Sequence, residues 1–445
     1  MLNIISYENK QLFHRQGKKN FAQFFDKSVF KRLSEKSGFC RRRARKITAY
    51  AFVVGFIECS LKKSCSYSQW ASAIGRLTGC SVSKQSLFER LGPGASAFAE
   101  SLLRYVMKKK INKPRDVDLF GRFKKVLLQD STTLSLPDSL AKYFPGNISR
   151  GVQKAVARIQ CIIELTSMHF MHFSLSGFTN NDQSASSLVD AYLQKDDLII
   201  RDLGYFVLSS LQRIADKQAY FLSRLRYNVK IYDRHGACLP LRSLLRRHRP
   251  VDQWVWLGKK QQLPVRLLII PLPDAQAAER KRKARKDRDR RLNHSKTYYQ
   301  WLGYAVFVTN VAQEVWTARQ VTEAYKIRWQ MEIIFKSWKS GFNLQCILQE
   351  QYRNVHRIVT AIFLMLLFIC LFMQKIYLYY KKIVGKKKSR IVSLYKLSKY
   401  ASANLLVFFD MNRNQLVEQI ARHCCYENRP DRTNMTDLIN FLKLT

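Results

Sequence analysis

The chain has few acidic residues. Its 445 residues include 77 lysines and arginines but only 32 aspartates and glutamates, so the formal net charge is +45 at pH 7. A charge of this size predicts a polyanionic partner, with nucleic acid as the first candidate and an anionic membrane surface as the second. The hydrophobic content of 47% argues against global disorder.

Two common sequence patterns are also absent. The ten cysteines include no C-x2-C pair, so the sequence lacks zinc-ligand spacing and predicts free thiols in a reducing compartment. The N-terminal segment MLNIISYENKQ lacks the basic start, apolar centre and small-residue cleavage site of a signal peptide. We therefore expect a cytoplasmic protein, associated with the nucleoid if its partner is DNA.

The basic residues are clustered along the chain, in runs at 41–46, 280–291 and 381–390. Each run alone is typical of a solvated segment. Together the runs predict a surface that follows a long stretch of phosphate backbone, with strongly salt-dependent affinity.

The stretch YKIRWQMEIIFKSWK, residues 325–339, predicts a helix with two different faces. At about 100° per residue, the apolar side chains share one side. The opposite side carries a polar set that could act in catalysis: Tyr325, Arg328, Glu332 and Lys339. A buried helix with a merely solvated polar face is the alternative.

Two apolar runs upstream each end in an acid, VLLQD at Asp130 and LIIRD at Asp202. Both runs are typical of buried strands, so the two carboxylates are expected where central strands leave the sheet. With Glu332 they would form a set of hard oxygen ligands suited to two Mg²⁺ or Mn²⁺ ions. For either aspartate alone, a turn or a helix cap is the simpler interpretation.

The order of these residues resembles the bacterial cut-and-paste DDE transposases of the insertion-sequence-four family. The resemblance covers residues 85–380, and its specific part is the spacing Tyr-x2-Arg-x3-Glu-x6-Lys at 325–339. It implies an RNase H-like core, metal-dependent hydrolysis at the transposon end, and transfer of the freed 3′-hydroxyl into target DNA. It also implies that Asp130, Asp202 and Glu332 are the catalytic metal ligands.

The expected fold class is α/β, an RNase H-like mixed sheet flanked by helices with a β-rich insertion domain. The chain divides into a helical N-terminal DNA-binding region (1–115), the first part of the core (116–219), the insertion (220–310), the second part of the core (311–380) and a helical C-terminal region (381–445). From residue 123 the pattern is strand, strand, strand, helix (182–193), strand. This order places the first and fourth strands side by side, and with them the two aspartates. The basic run at 280–291 is expected to be an exposed loop.

Further residues are candidates for contact with DNA. Residues 68–91 are compatible with a helix-turn-helix, which makes Lys84 and Gln85 possible contacts, or with an ordinary helical hairpin. The resemblance suggests an aromatic residue that stacks on a flipped base, for which Trp301 and Tyr304 are candidates unless they simply pack in the sheet.

The residues of the 325–339 signature also allow two interpretations. Arg328 and Lys339 can hold phosphate oxygens and Tyr325 can donate a hydrogen bond to the same backbone. Salt bridges from Arg328 to the nearby acids are the competing interpretation.

The resemblance implies double-stranded DNA as partner and a homodimer when two ends are paired, with the region from about residue 389 as the proposed contact. The apolar run 358–373 is shorter than the roughly 20 residues that span a bilayer, and we expect a buried helix with no membrane partner. Two alternatives of other classes stay open at this point. They are a catalytically inactive transposase-derived DNA-binding protein or inhibitor, and a membrane-associated protein.

Overall fold

The computed structural model describes residues 27–40, 46–61, 65–109, 122–246, 249–286, 295–347, 354–404 and 412–427. Most of the basic run at 41–46, and residues 287–291 of the second run, lie outside these ranges.

Ten strands and sixteen α-helices are used in the description below. The strands are β1 (Val126–Leu136), β2 (Pro145–Ser149), β3 (Val152–Glu164), β4 (His169–Gly177), β5 (Leu198–Arg201), β6 (Tyr220–Arg224), β7 (Ile231–Tyr232), β8 (Val251–Leu257), β9 (Leu263–Pro271) and β10 (Tyr304–Thr309). The helices are α1 (Lys27–Lys36), α2 (Ala49–Leu61), α3 (Tyr67–Thr78), α4 (Lys84–Arg90), α5 (Pro93–Lys108), α6 (Leu208–Asp216), α7 (Leu241–Arg246), α8 (Asp274–Arg285), α9 (Lys296–Trp301), α10 (Ala318–Lys326), α11 (Trp329–Lys336), α12 (Leu344–Ile347), α13 (Val355–Leu371), α14 (Leu378–Lys388), α15 (Leu394–Ala403) and α16 (Arg413–His423).

The strands form one mixed sheet in the order β2-β3-β1-β5-β6-β10-β9-β8-β7. Strand β4 lies outside this order and pairs with β3 on the edge that faces away from β1. Strand β1 pairs antiparallel with β3 and parallel with β5, and β5 pairs parallel with β6. The expected α/β class, with a mixed sheet flanked by helices, is confirmed. So is the neighbouring position of the strands that lead to the two aspartates.

Alternation of side chains along the central strands explains why the sheet is covered on both faces. Leu128 and Ile200 belong to one buried cluster, which includes the N-terminal helices and α13. Leu127, Ile199 and Phe221 belong to the cluster on the opposite face, which includes residues of α6 and α7. Successive residues of a strand point to opposite faces, so an uninterrupted apolar run such as LII fits a strand buried on both sides.

Strand-like runs expected between residues 220 and 310 are present as β6, β8, β9 and β10. These strands extend the core sheet rather than forming a sheet of their own, because β6 pairs with β5 on one side and with β10 on the other. The β-rich insertion and the core therefore share one hydrogen-bonded sheet.

Two details of the sequence prediction were wrong. The helix expected at 182–193 is a short 3-10 helix, Ser186–Ala191. The exposed loop expected at 280–291 is helical up to Arg285, at the end of α8. The Arg280 guanidinium donates a hydrogen bond of 3.0 Å to the Tyr304 carbonyl, and this tertiary contact holds the start of the basic run against the sheet.

The apolar run 358–373 forms the buried part of a core helix. Val355–Lys388 is long and apolar enough to cross a membrane, yet 72% of its most apolar window is buried inside the protein. Helix α13 packs against α5, and the Ser96 hydroxyl lies 3.1 Å from His356 Nδ1. Burial against the N-terminal helices supports the sequence expectation of a core helix.

The segment 68–91, expected to be a helix-turn-helix or an ordinary helical hairpin, consists of α3 and α4 joined by a short turn. A capping box at Ser66 and Gln69 starts α3, Gly79 with φ 72° ends it, and Ser83 caps α4. Lys84 and Gln85 occupy the exposed first turn of α4, where the Gln85 amide donates to the Glu89 carboxylate at 3.0 Å.

The C-terminal helix α15 packs against the segment Ser337–Gly341. A side chain at Gly341 would overlap the hydroxyl of Ser398 on α15. Glycine at this position therefore permits the close contact between the C-terminal region and the end of the predicted catalytic helix.

Candidate active site

Asp130 and Asp202 lie side by side at the point where β1 and β5 separate. The last paired residues of these parallel strands are Gln129 and Arg201, and each aspartate follows directly. Asp202 follows the end of β5 as predicted, but β1 continues to Leu136, so Asp130 lies within its strand and the prediction that this strand ends at the carboxylate was wrong. Both preceding residues are anchored on the other face: the Gln129 amide donates to the Ala185 carbonyl at 2.9 Å, and the Arg201 guanidinium donates to the Ser186 carbonyl at 2.9 Å. Alternation along the strands then directs the two carboxylates to the opposite face.

The predicted single helix at 325–339 is interrupted. Helix α10 ends at Lys326, α11 begins at Trp329, and Ser337–Gly341 continues as a π-helix. At the junction the Arg328 amide donates to the Tyr325 carbonyl at 3.1 Å and the Met331 amide donates to the Arg328 carbonyl at 2.9 Å. These bonds span three residues, which is the tighter pattern of a 3-10 turn.

The apolar side of this stretch is as predicted, because Ile327, Met331, Ile334 and Trp338 are each at most 1% exposed. Core packing therefore preserves the two-faced character through the break. On the polar side, Glu332 lies one turn after Arg328, whose guanidinium also contacts Asp130 and Asp202. Glu332 is therefore near the two aspartates.

Arg328 is the centre of the site, because its guanidinium reaches all three predicted catalytic carboxylates. It lies 3.5 Å from Asp130 Oδ2, 3.5 Å from Asp202 Oδ1 and 3.0 Å from Glu332 Oε1. The Asp130 side chain is 15% exposed, whereas those of Asp202 and Glu332 are 42% and 40% exposed. Sequence reasoning had offered phosphate binding and ion pairing as alternatives for Arg328, and the structure has the ion pairs.

The electrostatics of Asp130 reflect its burial. Desolvation raises the pKa of this carboxyl to about 7, and the neighbouring carboxylates of Asp202 and Asp182 add to the increase. The Ser131 amide, which donates to Asp130 Oδ1 at 2.8 Å, and the Arg328 charge both oppose it. A positive group is therefore needed to keep Asp130 ionised near neutral pH.

Tyr325 is buried beside this cluster. Its ring centroid lies 5.1 Å from that of Phe307, and the guanidinium groups of Arg224 and Arg328 lie 5.4 Å and 6.0 Å from its centre. Burial raises its pKa to about 12. Within the described residues the phenol oxygen is buried and has no hydrogen-bond partner.

Lys339 lies on the π-helical segment and is partly buried. Desolvation lowers the pKa of its ammonium group. The π-helix alters the angular spacing that an α-helix would give, so the position of Lys339 relative to Glu332 differs from the predicted one.

Asp182 is a residue that sequence reasoning missed. Its Oδ1 accepts hydrogen bonds from the Ser131 hydroxyl at 2.8 Å, the Arg158 guanidinium at 2.9 Å and the Gln160 amide at 3.0 Å. The Tyr205 hydroxyl donates to Gln160 Oε1 at 2.5 Å. This network holds Ser131, the residue after Asp130, in place. Asp182 thereby adds a fourth carboxylate near the three predicted ones.

Nothing in the local sequence around Asp182 distinguishes it from a solvated loop acid. One indirect signal is Gly204 in the DLGYF motif. A side chain added there would lie 3.0 Å from Asp182 Oδ2, so the glycine leaves room for this carboxylate.

The donor set fits divalent metal ions in its chemistry, since all three predicted ligands are carboxylates. As positioned, no group of three His, Cys, Asp or Glu side chains in the described part of the chain could hold a metal ion. The contacts of Arg328 explain this arrangement, because its guanidinium lies among the carboxylates and supplies the positive charge that an ion would supply.

The remaining predicted DNA contacts lie on other elements. Trp301, at the end of α9, is partly buried with its ring 5.8 Å from that of Tyr227. Tyr304 is only 8% exposed and its hydroxyl donates to the Leu245 carbonyl at 2.9 Å, so it packs in the sheet. Trp329, which sequence reasoning passed over, is 58% exposed at the start of α11. Its place directly after Arg328 was the available signal.

Sequence comparisons match this chain to known transposases. The family model described as Transposase DDE domain matches residues 121–372. The transposase for insertion sequence element IS231B of Bacillus thuringiensis subsp. berliner is 28% identical over 391 residues, which cover 82% of this chain and 80% of the relative. The transposase for IS231F of Bacillus thuringiensis subsp. israelensis is 30% identical over 320 residues, which cover 66% of this chain and 67% of the relative. The transposase for IS1151 of Clostridium perfringens is 25% identical over 362 residues, which cover 73% of this chain and 74% of the relative.

A solved structure was also found, the cryo-EM structure of a piggyBac transposase synaptic complex with hairpin DNA. It has a TM-score of 0.46 and 11% identity, and it covers 94% of this chain and 86% of that chain. The family match alone spans more than half of the 445 residues. The chain therefore belongs to the DDE transposases, and its relatives place it among those of the insertion-sequence-four type.

Proposed function

We propose that this chain catalyses DNA transposition by cutting DNA at the ends of an insertion element and joining the freed 3′-hydroxyl to target DNA. The observation that supports this most strongly is the convergence of Asp130, Asp202 and Glu332 on Arg328, from three separate elements of the fold. An acid cluster held together by one arginine is poised to bind a cationic cofactor once the arginine moves.

Asp130, Asp202 and Glu332 are the residues that would hold two Mg²⁺ or Mn²⁺ ions. When bound, such ions activate a water or a 3′-hydroxyl and stabilise the leaving oxygen in phosphodiester chemistry. The exposed carboxylates of Asp202 and Glu332 are accessible from solvent, while the buried Asp130 holds the inner side of the cluster.

Arg328 would exchange partners when DNA binds. Without DNA it pairs with the three acids, and with DNA it can hold a phosphate in a bidentate fork. The Tyr325 hydroxyl, which is unpaired within the described residues, would donate to a phosphate oxygen nearby. Lys339 would contribute a point charge to the same backbone.

Other DNA contacts follow from exposure. Lys84 and Gln85 occupy an exposed helix start and would read or position the transposon end. For stacking on an extruded base, Trp301 and the exposed Trp329 are better candidates than Tyr304, because Tyr304 would have to leave the sheet. We further propose that the protein acts as a dimer when two ends are paired, through the region from about residue 389, and that it works in the cytoplasm at the nucleoid.

The decisive experiment measures cleavage of a duplex that carries the inverted repeat flanking this reading frame, with Mg²⁺, Mn²⁺ or a chelator. Asp202→Asn is compared with wild type and with Asp216→Asn. The control removes an exposed carboxylate of α6, which accepts a hydrogen bond from Gln212 at 2.8 Å and lies outside the acid cluster.

We expect metal-dependent cutting by wild type and Asp216→Asn, and loss of cutting with retained DNA binding in Asp202→Asn. DNA binding without cutting by all three proteins would contradict the proposal and favour an inactive transposase-derived protein.

A further inference from the structure

A cavity of about 380 Å³ lies among the C-terminal helices. Its lining comes from the segment after α14, from α15, and from the end of α16 with the residues that follow. The charged side chains include three cations, Arg390, Lys396 and Arg422, and one anion, Glu427. The cavity is large enough for a phosphate with part of its sugar, and its walls are predominantly basic.

The walls of the cavity are fixed by backbone contacts. Val392 and Cys425 form a β-bridge, the Ser393 amide donates to the Cys424 carbonyl at 2.8 Å, and the Tyr426 amide donates to the Ile391 carbonyl at 2.9 Å. These bonds join the two chain segments that border the cavity. The site is therefore built by the fold and does not depend on the chance position of surface lysines.

Two of the cations are already held in place. The Arg390 guanidinium donates to the Ala421 carbonyl at 2.9 Å, and Lys396 Nζ lies 3.0 Å from Glu427 Oε1. The Lys396 and Glu427 side chains are 39% and 65% exposed, so this ion pair is weak and an incoming anion can replace it. Arg422 is exposed at the end of α16.

A basic strip connects this cavity to the active site. Lys336 lies one helical turn after Glu332 on α11, and its Nζ is 4.7 Å from the centre of the Tyr395 ring. Lys399 Nζ is 4.8 Å from the same ring. Lys396, which lines the cavity, precedes Lys399 by three residues on α15, so the two lysines lie on one face of the helix. Cations therefore follow one another from the catalytic glutamate to the cavity.

We propose that the C-terminal cavity is a phosphate pocket that binds the backbone of the same DNA that is cut at the active site. This inference rests on the proposed function, since it takes the DNA to be bound beside Glu332. The path from Glu332 runs along one helical turn and across one helix, roughly 15–20 Å. At 3.4 Å per nucleotide, this corresponds to about four to six base pairs from the cleavage point.

The chemistry that the cavity recognises is a phosphate oxygen, which either DNA or free phosphate can supply. A DNA backbone is the better match because the lysine strip leads to the cavity from the active site. Glu427 would be displaced from Lys396 when the phosphate enters, so the glutamate opposes binding and lowers the affinity.

The test measures DNA binding by fluorescence anisotropy over a range of KCl concentrations. The full-length variants Lys396→Ala, Arg422→Ala and Glu427→Gln are compared with Lys388→Ala. Lys388 is a matched control, because it also pairs with an exposed glutamate, Glu418, at 2.6 Å and does not line the cavity. Two sets of duplexes extend about three or about ten base pairs beyond the cleavage point on each side.

We expect Lys396→Ala and Arg422→Ala to weaken binding roughly 5- to 10-fold, and to reduce the salt slope by about one, only on duplexes long enough to reach the cavity. Glu427→Gln should strengthen binding on the same duplexes. Lys388→Ala should change both lengths equally and slightly.

Three outcomes would overturn the proposal. One is that the cavity variants behave like Lys388→Ala at both lengths. The second is a penalty that is independent of duplex length and is reproduced by competition with inorganic phosphate, which would assign the cavity to free phosphate. The third is a lowered melting temperature in both Lys396→Ala and Arg422→Ala, which would assign the loss of affinity to misfolding.

The readout is binding and not cleavage. A length-dependent penalty in a protein that cuts no duplex would leave the pocket in place and contradict only the proposed catalysis.

Discussion

Replacing Arg328 by glutamine tests whether this side chain keeps divalent ions out of the carboxylate cluster. In wild type the guanidinium lies within 3.5 Å of an oxygen of Asp130, Asp202 and Glu332. Glutamine keeps polarity and much of the length but has no charge. We expect the variant to bind Mn²⁺ more tightly than wild type in the absence of DNA, although it should cut DNA poorly.

The size of the effect follows from the charges. A divalent ion among the carboxylates would lie about 5 Å from the guanidinium, where removing one positive charge gains about 1–2 kcal/mol at a dielectric constant close to that of water. A high dielectric constant is appropriate because two of the three acids are about 40% exposed. The expected gain in Mn²⁺ affinity is therefore roughly 5- to 30-fold.

The assay is a melting curve at increasing MnCl₂, without DNA. Ion binding to the folded state raises the melting temperature, and Arg328→Gln should respond at lower Mn²⁺ concentrations than wild type. Arg213→Gln is the matched control, because Arg213 pairs with Asp190 at 2.6 Å and lies outside the acid cluster. An equal Mn²⁺ response in wild type and Arg328→Gln would refute the reasoning, and so would a full response in the double variant Arg328→Gln/Glu332→Gln.

Three other predictions concern single residues near the site. Asp182→Asn should lower the cleavage rate roughly 10- to 100-fold in a gel assay while duplex binding is retained, because it weakens the network that positions Ser131 beside Asp130. Equal losses of binding and cleavage would contradict this expectation. Tyr325→Phe should raise the free energy of unfolding by about 0.5–1 kcal/mol in denaturant, since it removes a buried unpaired hydroxyl, yet it should slow cleavage; a less stable variant would show that the hydroxyl is satisfied. Gly341→Ala should cost about 1–3 kcal/mol of stability through overlap with Ser398 of α15, and Ser398→Gly should relieve part of this cost. An unchanged melting temperature in Gly341→Ala would disprove the contact.

The parts of the fold that the sequence predicted are those with a strong local pattern. Apolar runs that end in an acid predicted the buried parts of β1 and β5 and the place of Asp202 after its strand, because burial on both faces requires uninterrupted apolar residues. They did not reveal that β1 continues past Asp130 to Leu136. The buried side of 325–339 was also predicted, because helical periodicity survives small changes of helix type.

The parts that were missed depend on contacts between distant segments. The break at Arg328 arises where the chain turns between two packed helices, and local propensity does not reveal it. Asp182 is placed by Arg158 and Gln160 of β3, more than twenty residues away. The insertion joins the core sheet through the pairing of β6 with β5. Within the insertion, β6 pairs with β10, about eighty residues later in the chain, and such pairing leaves no local signal.

The continuous sheet has a consequence for where the enzyme cuts. From β5, which leads to Asp202, the order runs through β6, β10 and β9 to β8, and neighbouring strands are about 4.8 Å apart. The insertion strand β8 thus lies roughly 19 Å from β5 and Asp202, and this spacing cannot change unless whole hydrogen-bond ladders break. A DNA contact made on the insertion would therefore lie at a fixed distance from the carboxylates. The number of intervening strands sets this distance, and with it the phosphodiester that reaches the site.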